Sequence, residues 1–299
     1  MSSGLPKCGR RDLGRVEGID MRAEPVLKWA GGKRQLLPEI CARLPARIHT
    51  YFEPFLGGGA VLFELAQKRR FERAVVSDQN PELVETYQVI QRDVESLIKI
   101  LSKMPHSEEE YYRVRASSPR LPSRRAARMI YLNRTGYNGL YRVNKSGQFN
   151  VPFGRYVSPR ICDPERLRAA AAVLARVEIR HSDFEQTVAR ARPRDAVYFD
   201  PPYVPLSETA RFAEYYSTPF GEAEHRRLQR VFAELVNRRV DVLLSNSDTP
   251  LTRELYGDYC LETVAARRNI NSDGTRRGQV HEILVGGPLR TGLRLGATA

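Results

Sequence analysis

The sequence has few cysteines and no long apolar run, and each absence excludes a class of protein. Its four cysteines are scattered without paired spacing, so neither a disulfide framework nor a zinc site is expected, and a reducing compartment is favoured. No apolar run reaches membrane-spanning length, and the N-terminus lacks the apolar core of a signal peptide. We therefore expect a cytoplasmic protein with no membrane partner and no bound metal.

Acidic residues are also scarce relative to basic ones. The chain has 48 Lys and Arg against 35 Asp and Glu, which gives a formal net charge of +13. Cationic side chains release counterions condensed on phosphate backbones, so this balance favours a polyanionic partner. A well-solvated basic face on an ordinary soluble protein is the alternative. The length of 299 residues and the 41% hydrophobic content suit one large domain or two.

An apolar run at 196–199, which is typical of a buried strand, leads into Asp200, Pro201, Pro202 and Tyr203. Prolines cannot continue a central strand, so the chain must turn there. Open α/β sheets bind their ligands at that end of the strands. A carboxylate, a free carbonyl of Asp200 or Pro201 and an aromatic ring together form a receptor for a flat group bearing an NH2. Taken alone, the four residues could also be an ordinary strand-to-loop turn.

A glycine-rich turn earlier in the chain has the pattern of a nucleotide-binding α/β unit. A short apolar strand runs into Gly57, Gly58 and Gly59, and apolar residues at helical spacing follow. A second strand ends at Asp78, roughly 20 residues further on, where an acid can accept hydrogen bonds from both ribose hydroxyls of an adenosine cofactor. The glycines do not complete the dinucleotide fingerprint, so S-adenosylmethionine is favoured over NAD. Glycines that serve only helix–strand packing are the alternative.

Two further segments offer groups for such a cofactor. Trp29 provides a flat stacking face, the glycines after it allow close approach of the backbone, and Lys33 can pair with a carboxylate. A packed tryptophan beside a flexible turn is the alternative reading of that segment. A short strand at 177–181 is followed by Asp183 and Phe184, an acid and a ring that could flank the adenine of the cofactor.

Between about residues 86 and 174 the α/β pattern is interrupted. The segment 123–133 predicts a basic amphipathic helix, whose arginines are either a solvated face or phosphate contacts. In 134–156, aromatic or apolar residues alternate with polar ones around 144–147, which indicates a β-hairpin. Arg and Asn read base edges or hold phosphates, and Tyr can wedge between bases. An exposed structural hairpin is possible, but contact with DNA is favoured.

Four motifs in this order resemble those of the Dam-type DNA adenine-N6 methyltransferases, the α-group or D12 class. They are Lys28-Trp29-Ala30-Gly31-Gly32-Lys33, Phe52-Glu53-Pro54-Phe55-Leu56-Gly57-Gly58-Gly59, the hairpin at 138–156 and Asp200-Pro201-Pro202-Tyr203. The resemblance runs from about residue 26 to about residue 287. The triple glycine departs slightly from the family, in which another small residue often occupies one of these positions.

The resemblance implies an α/β fold, a Rossmann-like sheet of the kind found in methyltransferases dependent on S-adenosylmethionine. A helical and β-hairpin target-recognition domain would be inserted into it. We expect a disordered basic tail at 1–23, a catalytic domain at 24–86 and 176–290, a recognition domain at 87–175 and a C-terminal tail at 291–299.

The resemblance also implies roles for single residues. Asp200 to Tyr203 would be catalytic, and Trp29, Lys33, Asp78 and Asp200 would contact S-adenosylmethionine. The rest of that pocket would be formed by Ala30, Gly31, Gly57, Gly58, Gly59, Asp183 and Phe184. Tyr137 would intercalate. The residues expected near bases are Asn138, Leu140, Arg142 and Pro152, those expected at phosphates are Asn144, Arg155 and Tyr156, and Arg134 and Asn150 would contact the DNA as well.

The implied reaction is methyl transfer from S-adenosylmethionine to N6 of adenine in a short double-stranded DNA site, with GATC preferred, after base flipping. A monomer that works at the nucleoid is expected. Three other activities stay open. A cytosine-N4 methyltransferase uses the same amino-group chemistry, an RNA or small-molecule methyltransferase would need no base-reading hairpin, and a DNA-binding regulator would sense the cofactor without turnover.

Overall fold

The computed structural model describes residues 23–29, 31, 33, 35–206, 220–267 and 279–287. The expected tails therefore lie outside it, apart from Ala23. Seven strands form one mixed sheet in the order β3-β2-β1-β4-β5-β7-β6. The strands are β1 Ile48–Glu53, β2 Phe71–Asp78, β3 Val177–His181, β4 Ala196–Phe199, β5 Asp241–Ser247, β6 Cys260–Arg267 and β7 Gln279–Gly286.

Strands β1 to β5 run parallel, so their C-terminal ends meet at one edge of the sheet, which we call the carboxyl edge. The opposite edge, where these strands begin, is the amino edge. Strand β7 pairs antiparallel with β5 and with β6, so a hairpin completes the sheet. This Rossmann-like α/β architecture confirms the predicted fold class.

Helices cover both faces of the sheet. They are α1 Leu37–Arg43, α2 Ala60–Gln67, α3 Pro81–Arg92, α4 Val94–Leu101, α5 Glu108–Ala116, α6 Pro122–Thr135, α7 Pro164–Leu174, α8 Phe184–Val188, α9 Glu222–Asn237 and α10 Pro250–Tyr256. Local sequence sets several of their starts. The Asn80 side chain accepts the Leu83 N–H at 3.1 Å ahead of α3, and Pro81 occupies the first turn. Among the described residues, no helix is long and apolar enough to cross a membrane.

The core lies on both sides of the sheet because the parallel strands are buried on both faces. Tyr51 and Tyr198 face the cluster under α1 to α4, α6 and α7, whereas their neighbours Phe52 and Val197 face the cluster under α8 and α9. Side chains alternate between faces along a strand, so these continuous apolar runs serve two cores. The strands are thereby fixed, and so are the groups at their ends.

A third, smaller core supports the segment 136–156, which we call the hairpin segment. Tyr111, Tyr131, Phe149 and Val151 are buried in it. The predicted hairpin is present in irregular form, because isolated antiparallel bridges (one of them Gly136 with Phe153) replace continuous strands. Phe149 and Val151 are the buried apolar side chains of this segment, so tertiary packing fixes only part of the ladder. The boundary expected between 86 and 87 falls inside α3.

Candidate active site

The carboxyl edge brings together the groups that the sequence places after separate strands. Asp200 follows β4, the glycine turn follows β1, and Asp78 ends β2. Ser245 lies within β5, next in the sheet to β4. Parallel register places all of them at one end of the sheet, although up to about 190 residues separate them in the chain.

Asp200 is held through one of its two carboxylate oxygens. The Lys33 ammonium lies 2.8 Å from Oδ1, and the Ser245 hydroxyl donates to the same oxygen at 3.1 Å. Within the described part of the chain, Oδ2 has no hydrogen-bond donor. Burial raises the pKa of Asp200, while Lys33 and Ser245 oppose that rise because they stabilise the ionised form. The carboxylate is thus fixed in place with one oxygen left to accept hydrogen bonds.

Tyr203 is fixed from two sides. Its hydroxyl donates to Glu282 Oε2 on β7 at 2.7 Å, and the Lys33 ammonium lies 4.5 Å from the ring centroid. Burial raises the pKa of Tyr203, so the hydroxyl stays a donor. Pro201 is buried, and the chain beyond the motif is anchored by the Val204 N–H, which donates to Asn246 Oδ1 at 3.0 Å.

Glu53 is a second carboxyl group of this site that the sequence reasoning left without a role. It ends β1, is only 2% exposed, accepts from the Tyr51 hydroxyl at 3.0 Å and lines the same cleft as Asp200. Burial and the nearby charge of Asp200 raise the pKa of Glu53 to about 8, although the hydrogen bond from Tyr51 lowers it. An acid at the end of an apolar strand, just before a glycine turn, was the available signal.

The glycine turn needs glycine at two positions. Gly57 has a φ of 48° and Gly59 a φ of 68°, both in the left-handed region that glycine adopts most easily. A Cβ on Gly57 would also lie 2.8 Å from Cδ1 of Trp29. The Gly57 N–H donates to Asp78 Oδ2 at 3.0 Å, so the acid at the end of β2 fixes the turn. The ring of Trp29 therefore packs directly against the glycine turn, a contact that was not predicted from the sequence.

A small cleft opens between these groups. Its walls are Trp29, Gly31, Lys33, Glu53, Leu56, Gly57, Gly58, Gly59, Ala60, Val61 and Asp200. A flat ring, an ammonium group, carboxyl groups and a side-chain-free turn suit a ligand that combines a heterocycle with an amino acid. Ala30 lies outside the described residues. Among those described, no group of three or more His, Cys, Asp or Glu side chains could hold a metal ion.

Asp183 and Phe184 lie further along the same edge, at the start of α8. The Arg227 guanidinium binds Asp183 Oδ2 at 2.6 Å and lies 4.1 Å from the centroid of the Phe184 ring. Although burial opposes it, this arginine lowers the pKa of Asp183. Phe184 itself is buried and stacks on Phe55 at 5.6 Å. The pair is anchored in the second core, and Trp29, not Phe184, lines the cleft.

The hairpin segment directly contacts the residues that line the cleft. Trp29 stacks on Tyr141 with centroids 5.5 Å apart. The buried Asn133 amide accepts the Lys28 N–H at 2.8 Å and donates to the carbonyls of Lys28 and Gly139 at 2.6 and 3.0 Å. One side chain of α6 thus joins Lys28 to the turn at Gly139. No local pattern in the sequence predicts this link.

The side chains expected to read DNA bases differ in their surroundings. Tyr137 is 51% exposed, and Asn138, also exposed, has a left-handed φ of 54°. Leu140 is half-buried and Pro152 is exposed. The Arg142 guanidinium is exposed, yet its Nε donates to Asn150 Oδ1 at 2.8 Å. Asn150 therefore orients Arg142.

The residues expected at phosphates also carry structural bonds. Asn144 Oδ1 accepts the N–H groups of Ser146 and Gln148 at 3.0 and 2.9 Å, so it shapes the hairpin turn. Arg155 is exposed with a φ of 46°. The Tyr156 ring lies 4.4 Å from the Lys28 ammonium. Arg134 is half-buried and donates to the carbonyl of Val26.

Fold and site together define a Rossmann-like α/β enzyme whose active site lies at the carboxyl ends of parallel strands. Residues 29–270 match the family model of the D12 class N6 adenine-specific DNA methyltransferases. The chain belongs to this family and is an adenine-specific DNA methyltransferase with DNA as its substrate. Membership implies a cofactor of the S-adenosylmethionine type, and the cleft offers groups that fit one.

Characterised relatives agree over most of the chain. The type II methyltransferase M1.LlaDCHI of Lactococcus lactis subsp. cremoris is 42% identical over 271 residues, which cover 87% of this chain and 94% of that protein. The type II methyltransferase M.MjaIII of Methanocaldococcus jannaschii is 39% identical, with 89% and 99% covered. The DNA adenine methylase of Escherichia coli (strain K12) is 38% identical, with 86% and 93% covered.

Proposed function

We propose that the protein transfers the methyl group of S-adenosylmethionine to N6 of an adenine in a short double-stranded DNA site, GATC, after the adenine flips out of the duplex. The observation that supports this most is the Asp200 carboxylate, whose Oδ1 is held by Lys33 and Ser245 while Oδ2 is left to accept. Such a carboxylate at the end of a buried strand suits a bound exocyclic amino group.

The chemical difficulty lies in the adenine amino group, whose lone pair is delocalised into the ring. We infer that Asp200 Oδ2 and the Pro201 carbonyl accept its two N–H bonds. The nitrogen then becomes more tetrahedral, and its lone pair points away from the ring. S-adenosylmethionine supplies the methyl group as an electrophile. The nitrogen must lose a proton as it gains the methyl group, and the Asp200 carboxylate is placed to take it. The rate would owe most to positioning.

The cofactor would be held at the cleft by groups of this chain. Asp78 keeps lone pairs available for ribose hydroxyls, although the backbone N–H groups of Gly57 and Asn80 already donate to it. Trp29 offers its ring, and Gly31, Gly57, Gly58 and Gly59 allow close approach. Asp183 and Phe184 would act from the second core, where they shape the pocket next to the adenine.

The DNA would lie against the hairpin segment and the carboxyl edge. A base cannot be methylated within a stacked duplex, so it must flip out, with Tyr203 against its face. Tyr137 would fill the gap, and Asn138, Leu140, Arg142 and Pro152 would approach base edges. Arg134, Asn144, Asn150, Arg155 and Tyr156 would contact or support contacts to phosphates. GATC is proposed because the hairpin sequence is close to the Dam pattern.

We also propose that residues 87–175 form the recognition domain and that residues 24–86 and 176–290 form the catalytic domain. The enzyme would act as a monomer on nucleoid DNA. Mass measurement of the protein in solution, alone and with a single-site duplex, tests the stoichiometry.

Incubation with S-adenosylmethionine and unmethylated DNA, followed by base-resolved mapping of methyl groups, tests the reaction and the site together. We expect N6-methyladenine at GATC alone. Methyladenine at another sequence would contradict the assigned site and leave the mechanism standing. A folded protein that binds the cofactor and methylates no DNA would contradict the proposal as a whole.

A further inference from the structure

The amino edge of the sheet carries a row of arginines. Each of the five parallel strands begins one or two residues after an exposed arginine. We call these five residues the arginine row. In the spatial order of the strands β3, β2, β1, β4 and β5, they are Arg176, Arg69, Arg47, Arg194 and Arg239.

Backbone hydrogen bonds keep the row in line. The His49 N–H donates to the Arg194 carbonyl at 3.0 Å, which joins the starts of β1 and β4. Neighbouring strands lie about 4.8 Å apart, so the row extends for roughly 19 Å across the edge. Because the five strands are parallel, the row faces away from the carboxyl edge and lies roughly 20 Å from Asp200. DNA bound for methylation at Asp200 would not touch it.

The charge of the row is not neutralised by the protein. In the part of the chain that the structure describes, these five side chains make no ion pair and no hydrogen bond. The buried Asp195 nearby is occupied by the N–H groups of Thr50 and Arg192. Glu72, which is exposed, and Asp241, which is half-buried, are acids at this edge. Five guanidinium groups outnumber these two carboxylates, so the row keeps a net positive charge.

Three positions of the row are poor places for arginine. Arg69, Arg194 and Arg239 have φ values of 51°, 78° and 59°, a left-handed conformation that Gly or Asn adopts with less strain. Gly or Asn would therefore make these turns more stable than arginine does. The fold does not explain the arginines, and we attribute them to their exposed positive charge.

We propose that the arginine row binds the phosphates of a second segment of double-stranded DNA while a first segment occupies the carboxyl edge. DNA is the substrate of the family, and a line of guanidinium groups fits the closely spaced phosphates of a duplex. The two edges face opposite ways, so one enzyme would bridge two duplexes. The inference rests on DNA as the substrate and not on the base or sequence that is methylated.

The left-handed turns allow a variant that removes charge without harming the fold. The triple variant Arg69→Asn, Arg194→Asn, Arg239→Asn loses three charges and relieves the strain at each turn. A matched control, Arg92→Gln, Lys99→Gln, Lys103→Gln, loses three exposed charges outside the row. They lie at the end of α3, within α4 and just after α4, and none is among the residues proposed to contact DNA. We expect the row variant to be at least as resistant to heat as the wild type.

The test is capture of a second duplex. The full-length protein is held on an immobilised duplex that contains GATC, with S-adenosylhomocysteine, and a labelled duplex without GATC is added. We expect the wild type and the control to capture it, and the row variant to capture at least about tenfold less. Direct titrations at several salt concentrations give the slope of the logarithm of the binding constant for the second duplex against the logarithm of the salt concentration. The magnitude of this slope should fall by about 0.9 for each phosphate contact removed.

The outcomes separate this proposal from the proposed function. Methylation of a short single-site duplex should be the same in the row variant and the wild type. Equal capture by the row variant and the wild type, equal loss in the control, or binding of anionic vesicles in place of DNA would each overturn the role of the row. Failure of the wild type to methylate the short duplex, with capture intact, would count against the proposed function alone.

Discussion

The carboxyl edge and the hairpin segment are held in place by different means. At the edge, buried strands fix Asp200, Asp78 and Glu53, and most of their oxygens are already bound by backbone or side-chain donors. In the hairpin segment, isolated bridges replace a ladder, and exposed side chains such as Arg142 are oriented by one another. The groups of the carboxyl edge are thus held in place in the absence of DNA, while the exposed side chains of the hairpin segment make bonds that a bound DNA could replace.

Removal of the Asp200 side chain should have the largest effect, because it changes the carboxyl edge and leaves the hairpin segment intact. Asp200→Ala should reduce methylation by roughly 10²–10³-fold or more, the loss expected when one preorganised hydrogen-bonding group is deleted from an active site. The variant should still fold and unfold in a single thermal transition. Ser245→Ala, which leaves Lys33 on Asp200 Oδ1, should cost less. Substantial activity in Asp200→Ala would contradict the assignment.

The link between the two regions can be broken at Asn133. Asn133→Leu keeps the branched shape of the side chain but leaves one N–H and two carbonyls of Lys28 and Gly139 without their partner. Unfolding free energy should fall by about 3 kcal/mol, since each buried polar group left unpaired costs about 1–3 kcal/mol. Trp29 is the only tryptophan, so its fluorescence during cofactor titration reports directly on the joined segment. An unchanged denaturation midpoint would show that the link carries no energy.

Removal of the Arg142 side chain tests the proposed role of the hairpin segment in recognising the DNA sequence. Arg142→Ala should relax discrimination at one base pair by about 1–3 kcal/mol. Asn150→Ala should produce a smaller shift in the same direction, because Asn150 orients the guanidinium. Base-resolved maps of methylated DNA from the two variants measure both effects. If the Asn150 variant lost discrimination while the Arg142 variant kept it, the order of roles would be wrong.

Glu53 makes the stability of the carboxyl edge depend on pH. Its pKa is about 8 in the folded protein against an ordinary 4.5, so between those values the folded protein holds a proton that the unfolded chain has lost. The stability contributed by this group is complete below the lower value and is lost as pH rises through the higher one. In urea titrations across this window, the unfolding free energy of the wild type should fall by up to ~1.4 kcal/mol per pH unit relative to Glu53→Gln. Parallel pH profiles would contradict the raised pKa.

Much of the carboxyl edge could be predicted from the sequence, because strand–turn–helix patterns and the order of motifs are local properties. Asp78 and Asp200 were placed correctly at the ends of β2 and β4. The partners of these groups were not predictable. Ser245 meets Asp200 across 45 positions, and Asn133 meets Lys28 across 105. Such contacts are decided by tertiary packing, which leaves no local pattern.

The hairpin segment was predicted with less detail for a related reason. Alternation of polar and apolar residues indicates a hairpin, but register depends on a buried face. Here only Phe149 and Val151 are buried against the third core, so the ladder breaks into isolated bridges. The bond between Arg142 and Asn150, two residues expected to touch DNA separately, could not be read from their spacing.

We propose that the methyl-transfer step and the recognition of the DNA sequence depend on different residues of this enzyme. Single-turnover methylation of two duplexes, one with GATC and one changed at a single base pair, tests it directly with Asp200→Ala and Arg142→Ala side by side. We expect Asp200→Ala to slow methylation of both duplexes by the same factor, and Arg142→Ala to change the ratio of the two methylation rates. A changed ratio in the Asp200 variant, or an equal loss on both duplexes in the Arg142 variant, would contradict it.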